Sequence, residues 1–475
     1  MLGLHRKDKF SPPRELRVQV RLSEVIAALS YALDLTEGQP QGHAARSCVL
    51  GMRLARDLRL PVADSSALFY ALLMKDVGCS ANASALAATF GADERSAKAA
   101  FKYVDWTRFF QTTRYAWQSA APGGTLLQKL GKLAPIALKG YKAGTREMIQ
   151  IRCERGASIA RSLQLPPATT DAILGLDEHW DGSGHPQGLR GENIPLLSRV
   201  LNLAQSFEVF GKKSGIEAAF EMADQRSGSW FDPNLVRILH TLKGDTAFWE
   251  RYLGEEPRRS VIGFEPADRE LFADGATLDR IAHGFAQVID AKSPWTFKHS
   301  EGVANIAAGL ASVMGLPASE IQRIHRAGLL HDIGKLGISN LILDKPGRLN
   351  DQELAEMKKH PGYTHQLLKQ VAGFADLAEL AASHHEKLDG SGYHRGLTAA
   401  QLSTPDRILC VADMYEALSA KRPYRAELSR EEIFAILSKS AGTGICPEVF
   451  AALKTWVAGA GAAQTPAVQE PRAAA

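Results

Sequence analysis

Nine of the fourteen histidines in this chain fall between His283 and His394. Histidines scattered over a surface have no reason to gather in this way. At the centre of the group is the run Leu329-Leu330-His331-Asp332-Ile333-Gly334-Lys335. His299 lies upstream; His360, His384-His385-Glu386 and Asp413 lie downstream. Neutral imidazole suits Fe, Mn, Ni or Zn, and a carboxylate can bridge two cations with its two oxygens. His299, His331, Asp332, His360, His384, His385 and Asp413 are too many ligands for one ion and suit two. Two cations roughly 3.5–4 Å apart can share a hydroxide, generate a nucleophile at neutral pH and hold a phosphate oxygen. Asp332 is the expected bridge and the catalytic carboxylate. His384 and His385 are neighbours on or at the end of a helix, so they point in different directions, one to a metal and one to its neighbour or the substrate.

Lys335 follows His331 by four residues and is expected on the same helical face, one turn on. An ammonium there can neutralise a phosphoryl oxygen as charge develops. The turn Gly390-Ser391-Gly392-Tyr393 can let a ligand approach backbone at Gly392, with Tyr393 stacking on a base; it can equally be a structural turn. Arg422 and Arg425, around Pro423-Tyr424, read either as a bidentate phosphate clamp or as surface ion pairs.

The elements that must hold these residues come in two copies. His43 precedes Asp76 by the same interval that separates His299 from Asp332. Leu60-Pro61 matches Leu316-Pro317, and Gly78 matches Gly334. Trp180-Asp181-Gly182-Ser183-Gly184 matches Leu388-Asp389-Gly390-Ser391-Gly392. In the first copy Lys75 stands at the place of His331, Arg152 at that of His360, Leu176 and Asp177 at those of His384 and His385, and Gln205 at that of Asp413. The glycines and apolar positions survive there, while only His43 and Asp76 remain of the ligand-like set. The fold therefore needs the glycines and apolar residues and not the histidines. The first copy also carries an insertion of 48 residues between about Ala81 and Thr145. It holds Trp106, Phe109, Phe110, Tyr115 and Trp117, which read as core or as a docking surface.

Apolar residues recur at three- and four-residue spacing, as at Val25, Ile26, Leu29 and Leu33, and strand-like alternation is scarce. The expected fold is all-α. Its order is an irregular lead-in (1–21), a degenerate helical domain (22–253), a short charged linker (254–268), a second helical domain (269–458) and a disordered tail (459–475). Hydrophobic residues make up 45% and charged residues 23%, ordinary for a globular chain. The net charge of +4 is spread along the sequence, and no basic block or aromatic–basic interleaving points to nucleic acid. Five distant cysteines without a C-x-x-C pair argue against disulfides and fit a reduced, cytoplasmic setting. No stretch reads as a signal peptide or membrane span.

The second copy resembles the HD-GYP family of HD metal-dependent phosphohydrolases. The resemblance rests on His299, His331-Asp332-Ile333-Gly334-Lys335, Lys345-Pro346-Gly347, His360-Pro361, His384-His385-Glu386, Asp389-Gly390-Ser391-Gly392-Tyr393, Asp413 and Arg422-Pro423-Tyr424-Arg425. It implies an all-helical domain with a bi- or trinuclear centre, often iron or manganese. It also implies hydrolysis of cyclic di-GMP to the linear dinucleotide pGpG or GMP in bacteria, with Lys335, Arg422 and Arg425 contacting phosphates. The family's Gly-Tyr-Pro stands here as Gly392-Tyr393-His394. The glutamate of three-metal members is replaced by Trp295, which leaves two divalent ions. The first copy reads as a regulatory or dimerising half that offers a surface to protein partners. Alternative functions are hydrolysis of another nucleotide, such as cyclic GMP-AMP, or a low-turnover signalling scaffold.

Overall fold

The computed structural model describes residues 20–139, 141–254, 261–266, 272–296, 298–420 and 428–460. Among these the chain is helical nearly throughout. The strands are one antiparallel pair, Val20–Arg21 with Phe272–Ala273, which stitches the start of the first copy to the start of the second. Each copy is built on a packed helix pair, His43–Asp57 with Val62–Met74 and His299–Val313 with Ala318–Leu330. The Leu-Pro step sets both turns. Pro61 and Pro317 take extended backbone at the N-cap, where a missing N–H costs nothing, and the second helix starts directly after.

One apolar core runs through both copies, from Val20 to Val457. The insertion adds a small core of its own, in which Leu86, Phe90, Ala97, Tyr115 and Ala120 are buried. Its aromatics divide between the two readings. Trp106 and Tyr115 are buried, and Trp106 stacks with His185. Phe109, Phe110 and Trp117 face solvent.

The described residues reach into both expected connections. In the linker, residues 255–260 and 267–268 lie outside the described residues, and 261–266 packs on the first copy. Val261 is fully buried, and Glu265 accepts hydrogen bonds from Ser23 Oγ (2.5 Å) and Tyr70 Oη (2.8 Å) of the first copy. The lead-in up to residue 19 and the tail from 461 lie outside the described residues, while the last helix, Pro447–Ala460, runs into the stretch expected as tail.

The insertion also reaches the second copy. Glu94, at the start of helix Glu94–Phe101, is fully buried. Its carboxylate accepts from Lys292 Nζ (2.9 Å), Ser339 Oγ (3.2 Å) and the Asn340 amide (2.9 Å). Lys292 donates also to the Leu336 carbonyl at 3.2 Å, and Arg95 donates to the carbonyl of Gly337. The residues gripped, 336–340, follow Lys335 directly.

Candidate metal centre

Four helix ends and the middle of a fifth helix bring the predicted ligands together. His299 opens helix His299–Val313, whose first turn is held by the buried Asp290 carboxylate, which accepts from the Ser300 amide (3.3 Å) and hydroxyl (2.6 Å). His331 caps the C-terminus of Ala318–Leu330. The expected continuous helix through Lys335 does not form. Ile333–Gly337 is a 3-10 turn instead, and Lys335 swings onto Asp332, with Nζ 2.5 Å from Oδ2. The cause is tight packing: a Cβ at Gly334 would collide with the carbonyl oxygen of His360, and the Gly334 amide donates to Thr364 Oγ1 at 3.0 Å. His360 begins helix His360–Lys369, His384 and His385 follow helix Ala378–Ala382, and Asp413 comes from helix Thr404–Ser419.

Asp332 lies between two groups of ligands. Its Oδ2 faces His331 Nε2 (3.2 Å) and His299 Nε2 (3.4 Å); its Oδ1 faces His360 Nε2 (3.4 Å) and His384 Nε2 (3.6 Å). Asp413 spans the same divide, with Oδ1 3.4 Å from His299 Nε2 and Oδ2 3.7 Å from His385 Nδ1. Ligand atoms therefore fall into two sets, His299–His331–Asp332 and His360–His384–His385.

The imidazoles are oriented as ligands. Nδ1 of His331, His360 and His384 donates to the carbonyls of Gly328 (2.6 Å), Met357 (2.7 Å) and Ala381 (2.7 Å). A carbonyl can only accept, so each Nδ1 carries the proton and each Nε2 turns a bare lone pair inward. His360 Nε2 and His384 Nε2 then face one another at 3.1 Å, two acceptors with nothing between them. His331 Nε2 and Asp332 Oδ1 are buried without a hydrogen-bond partner. Such an arrangement is costly unless a cation satisfies it, so the residues present fit a pair of divalent ions. Burial lowers His360 to about 3 and His384 to about 4, which keeps both neutral and able to ligate across the neutral range. Burial also opposes a charge on His299, but hydrogen bonds to Asp332, Asp413 and Glu416 outweigh it and shift this imidazole's pKa upward.

The remaining predicted residues have definite places. Tyr393 packs over His385, ring centroids 4.7 Å apart, at the exposed side of the cluster. A Cβ at Gly392 would run into the backbone of Glu386 and Lys387, as one at Gly184 would at Glu178 and His179. That glycine is therefore required by the chain's own close approach. Arg422 and Arg425 lie outside the described residues.

Two carboxylates anchor the site in ways the sequence did not assign: Glu416, which it did not single out, and Glu386, read only as part of the His384-His385-Glu386 run. Glu416 accepts from His299 Nδ1, as Glu208 does from His43 Nδ1 in the first copy. Glu386, fully buried, accepts from the amides of Arg395 (2.7 Å) and Leu397 (2.9 Å), and Glu178 does the same for Gln187 (2.7 Å) and Leu189 (2.8 Å). Both pairs share the register that aligns the Asp-Gly-Ser-Gly turns. That coincidence was the available signal.

The first copy shows what replaces the ions. Lys75 Nζ bonds His43 Nε2 at 2.7 Å and also meets Asp76. Lys102, from the insertion, stands 3.4 Å from both Asp76 Oδ1 and His43 Nε2 and 3.1 Å from Glu37. Arg152 pairs with Asp177. Ammonium and guanidinium groups thus supply the positive charge. Burial pushes the Glu37 carboxyl up, but Lys102 and Lys98 outweigh it and set it at about 2. With the folded value below the unfolded 4.5, the stability Glu37 contributes is complete above that pH and is lost as pH falls toward about 2. Thermal melts followed by circular dichroism should show this acid-side loss, and a Glu37→Gln variant should lack that component.

Taken with this geometry, the chain belongs to the HD-domain family. The family profile matches residues 113–235 and 284–449, one stretch in each copy, and the second stretch carries the HD-GYP residue set. The 3'3'-cGAMP-specific phosphodiesterase 3 of Vibrio cholerae serotype O1 is 40% identical over 433 residues, 91% of this chain and 94% of its own length. The cyclic di-GMP phosphodiesterase of Thermotoga maritima is 37% identical over 156 residues, 32% of this chain and 42% of its own. A crystal structure of a cyclic GMP-AMP-specific phosphodiesterase from V. cholerae matches with a TM-score of 0.64 at 36% identity, covering 93% of this chain and 98% of that one.

Proposed function

We propose that the second copy is a metal-dependent phosphodiesterase that opens a cyclic dinucleotide, 3'3'-cGAMP in preference to cyclic di-GMP, and that the first copy is its non-catalytic regulatory half. The observation that carries this reading is the pair of ligand sets sharing Asp332, present in the second copy and replaced by lysine and arginine in the first. The preference between dinucleotides rests on the similarity, along nearly the whole chain, to a relative named for 3'3'-cGAMP.

His299, His331, Asp332, His360, His384, His385 and Asp413 would hold two divalent ions, iron or manganese by the resemblance. Bound there, such ions lower the pKa of water and draw charge from a phosphoryl oxygen. The protein's own groups do the rest. Lys335, one-fifth exposed and on Asp332, would meet a phosphate oxygen as it gains charge. Tyr393 offers a ring beside His385 for a base. Arg422 and Arg425 are proposed as further phosphate contacts.

The test is turnover of 3'3'-cGAMP, cyclic di-GMP and other cyclic nucleotides by metal-loaded protein purified without oxygen, beside a Lys335→Ala variant. The expected result is fastest opening of 3'3'-cGAMP to a linear dinucleotide, and a loss of about 10²–10³-fold in the variant with metal content retained. Faster cleavage of cyclic di-GMP would reverse the assignment of substrate. Loaded protein that cleaves neither would favour the scaffold.

A further inference from the structure

The chain-wide evenness of charge hides a local imbalance. Between Trp106 and Arg146 there is no Asp or Glu, while Arg108, Arg114, Lys129, Lys132, Lys139, Lys142 and Arg146 are all basic. The same stretch exposes large apolar side chains. Phe110 is 85% and Trp117 42% exposed on helix Phe109–Ser119; Leu126 is 61%, Leu127 81%, Leu130 48% and Leu138 90% exposed on helix Leu126–Lys139. At about 100° per residue the four leucines share an arc of about 120°, and Arg114 falls between Phe110 and Trp117 on one face. Leu133 and Ile136, which pack against the insertion's own core, lie to one side of this arc, Leu133 only about 20° beyond Leu126. The leucine arc thus carries the apolar face of the helix past the core and outward. Where the two helices meet, Lys129 Nζ lies over the Trp117 ring at 5.6 Å.

We propose that this hairpin of the insertion is a docking surface for an anionic lipid bilayer. Basic residues with outward Leu, Phe and Trp and no acid among them make the composition of an interfacial helix. Nucleic acid would match the charge but offers leucines nothing to bury against. A second copy of this chain would match the leucines, but a two-fold contact through this face sets its basic residues against their own copies. A bilayer rich in acidic headgroups satisfies both at once. No described helix is long and apolar enough to span a membrane, so the contact is peripheral and leaves the catalytic copy in water.

The experiment is flotation of the full chain with vesicles of phosphatidylethanolamine and phosphatidylglycerol, against vesicles of phosphatidylcholine alone, at low and high salt. Wild type should partition at least about 10-fold better onto the anionic vesicles, with the difference shrinking in high salt. A Phe110→Asp/Leu127→Asp variant alters two strongly exposed positions away from the metal centre. It should keep wild-type melting and nucleotide turnover yet lose that partitioning. Equal binding to both vesicle types, or an unaffected variant, overturns the proposal. So does a dimer in analytical ultracentrifugation that the variant abolishes while vesicle binding is absent, since that assigns the face to a second copy.

Discussion

Replacing Asp332 by Asn should leave the second copy folded but unable to retain metal, and should lower turnover at least about 10³-fold. The substitution keeps the side chain's volume and removes the charge that both ligand sets share. Oδ1 and Oδ2 address different imidazoles, His360 and His384 on one side, His299 and His331 on the other. One change therefore disables both sites. Elemental analysis of anaerobically purified protein, paired with a cyclic-dinucleotide assay, reads the result. Full metal content in the variant would show that Asp332 is not the shared ligand. His385→Ala should be milder in metal content, because His385 is the most exposed of the histidine ligands and meets Asp413 at 3.7 Å.

The complementary expectation lies in the first copy. Lys75→Ala should destabilise the protein while leaving metal content of the second copy unchanged. Lys75 is fully buried and holds both His43 and Asp76. Removing one partner of a buried pair costs about 3–5 kcal/mol, because the other charge is stranded. The lower end applies here, since Lys102 remains 3.4 Å from Asp76. Denaturant unfolding followed by circular dichroism measures this. A midpoint equal to wild type would mean that the ammonium does not carry the charge a metal carries in the other half.

The contrast between the copies is also what made the site legible. The histidines stood out because the first copy keeps the glycines and the Leu-Pro turns with only His43 left of the set. Glu416 and Asp290 stayed hidden. Each is a lone carboxylate in sequence, and only the three-dimensional meeting with His299 and Ser300 gives it a task. The helix was extended too far, through Lys335, because apolar spacing continues across Ile333 and says nothing of the carbonyl of His360 that packs on Gly334. The insertion's aromatics could not be divided by type. Tyr115 is buried against Phe90 and Phe101, its hydroxyl satisfied by the Ala97 carbonyl at 3.0 Å, whereas nothing in the spacing distinguishes it from exposed Phe110.

Glu94 gives the duplicated architecture a further meaning. Lys292 belongs to the catalytic copy, yet the carboxylate beside it comes from the insertion of the other, 198 residues away. Excised at the boundary, the catalytic copy would bring a lysine with no counter-ion to a freshly opened face, and the Asn340 amide would lose its acceptor. Truncation to the second copy alone would therefore loosen residues 336–340, immediately after Lys335, although no residue removed belongs to the ligand set.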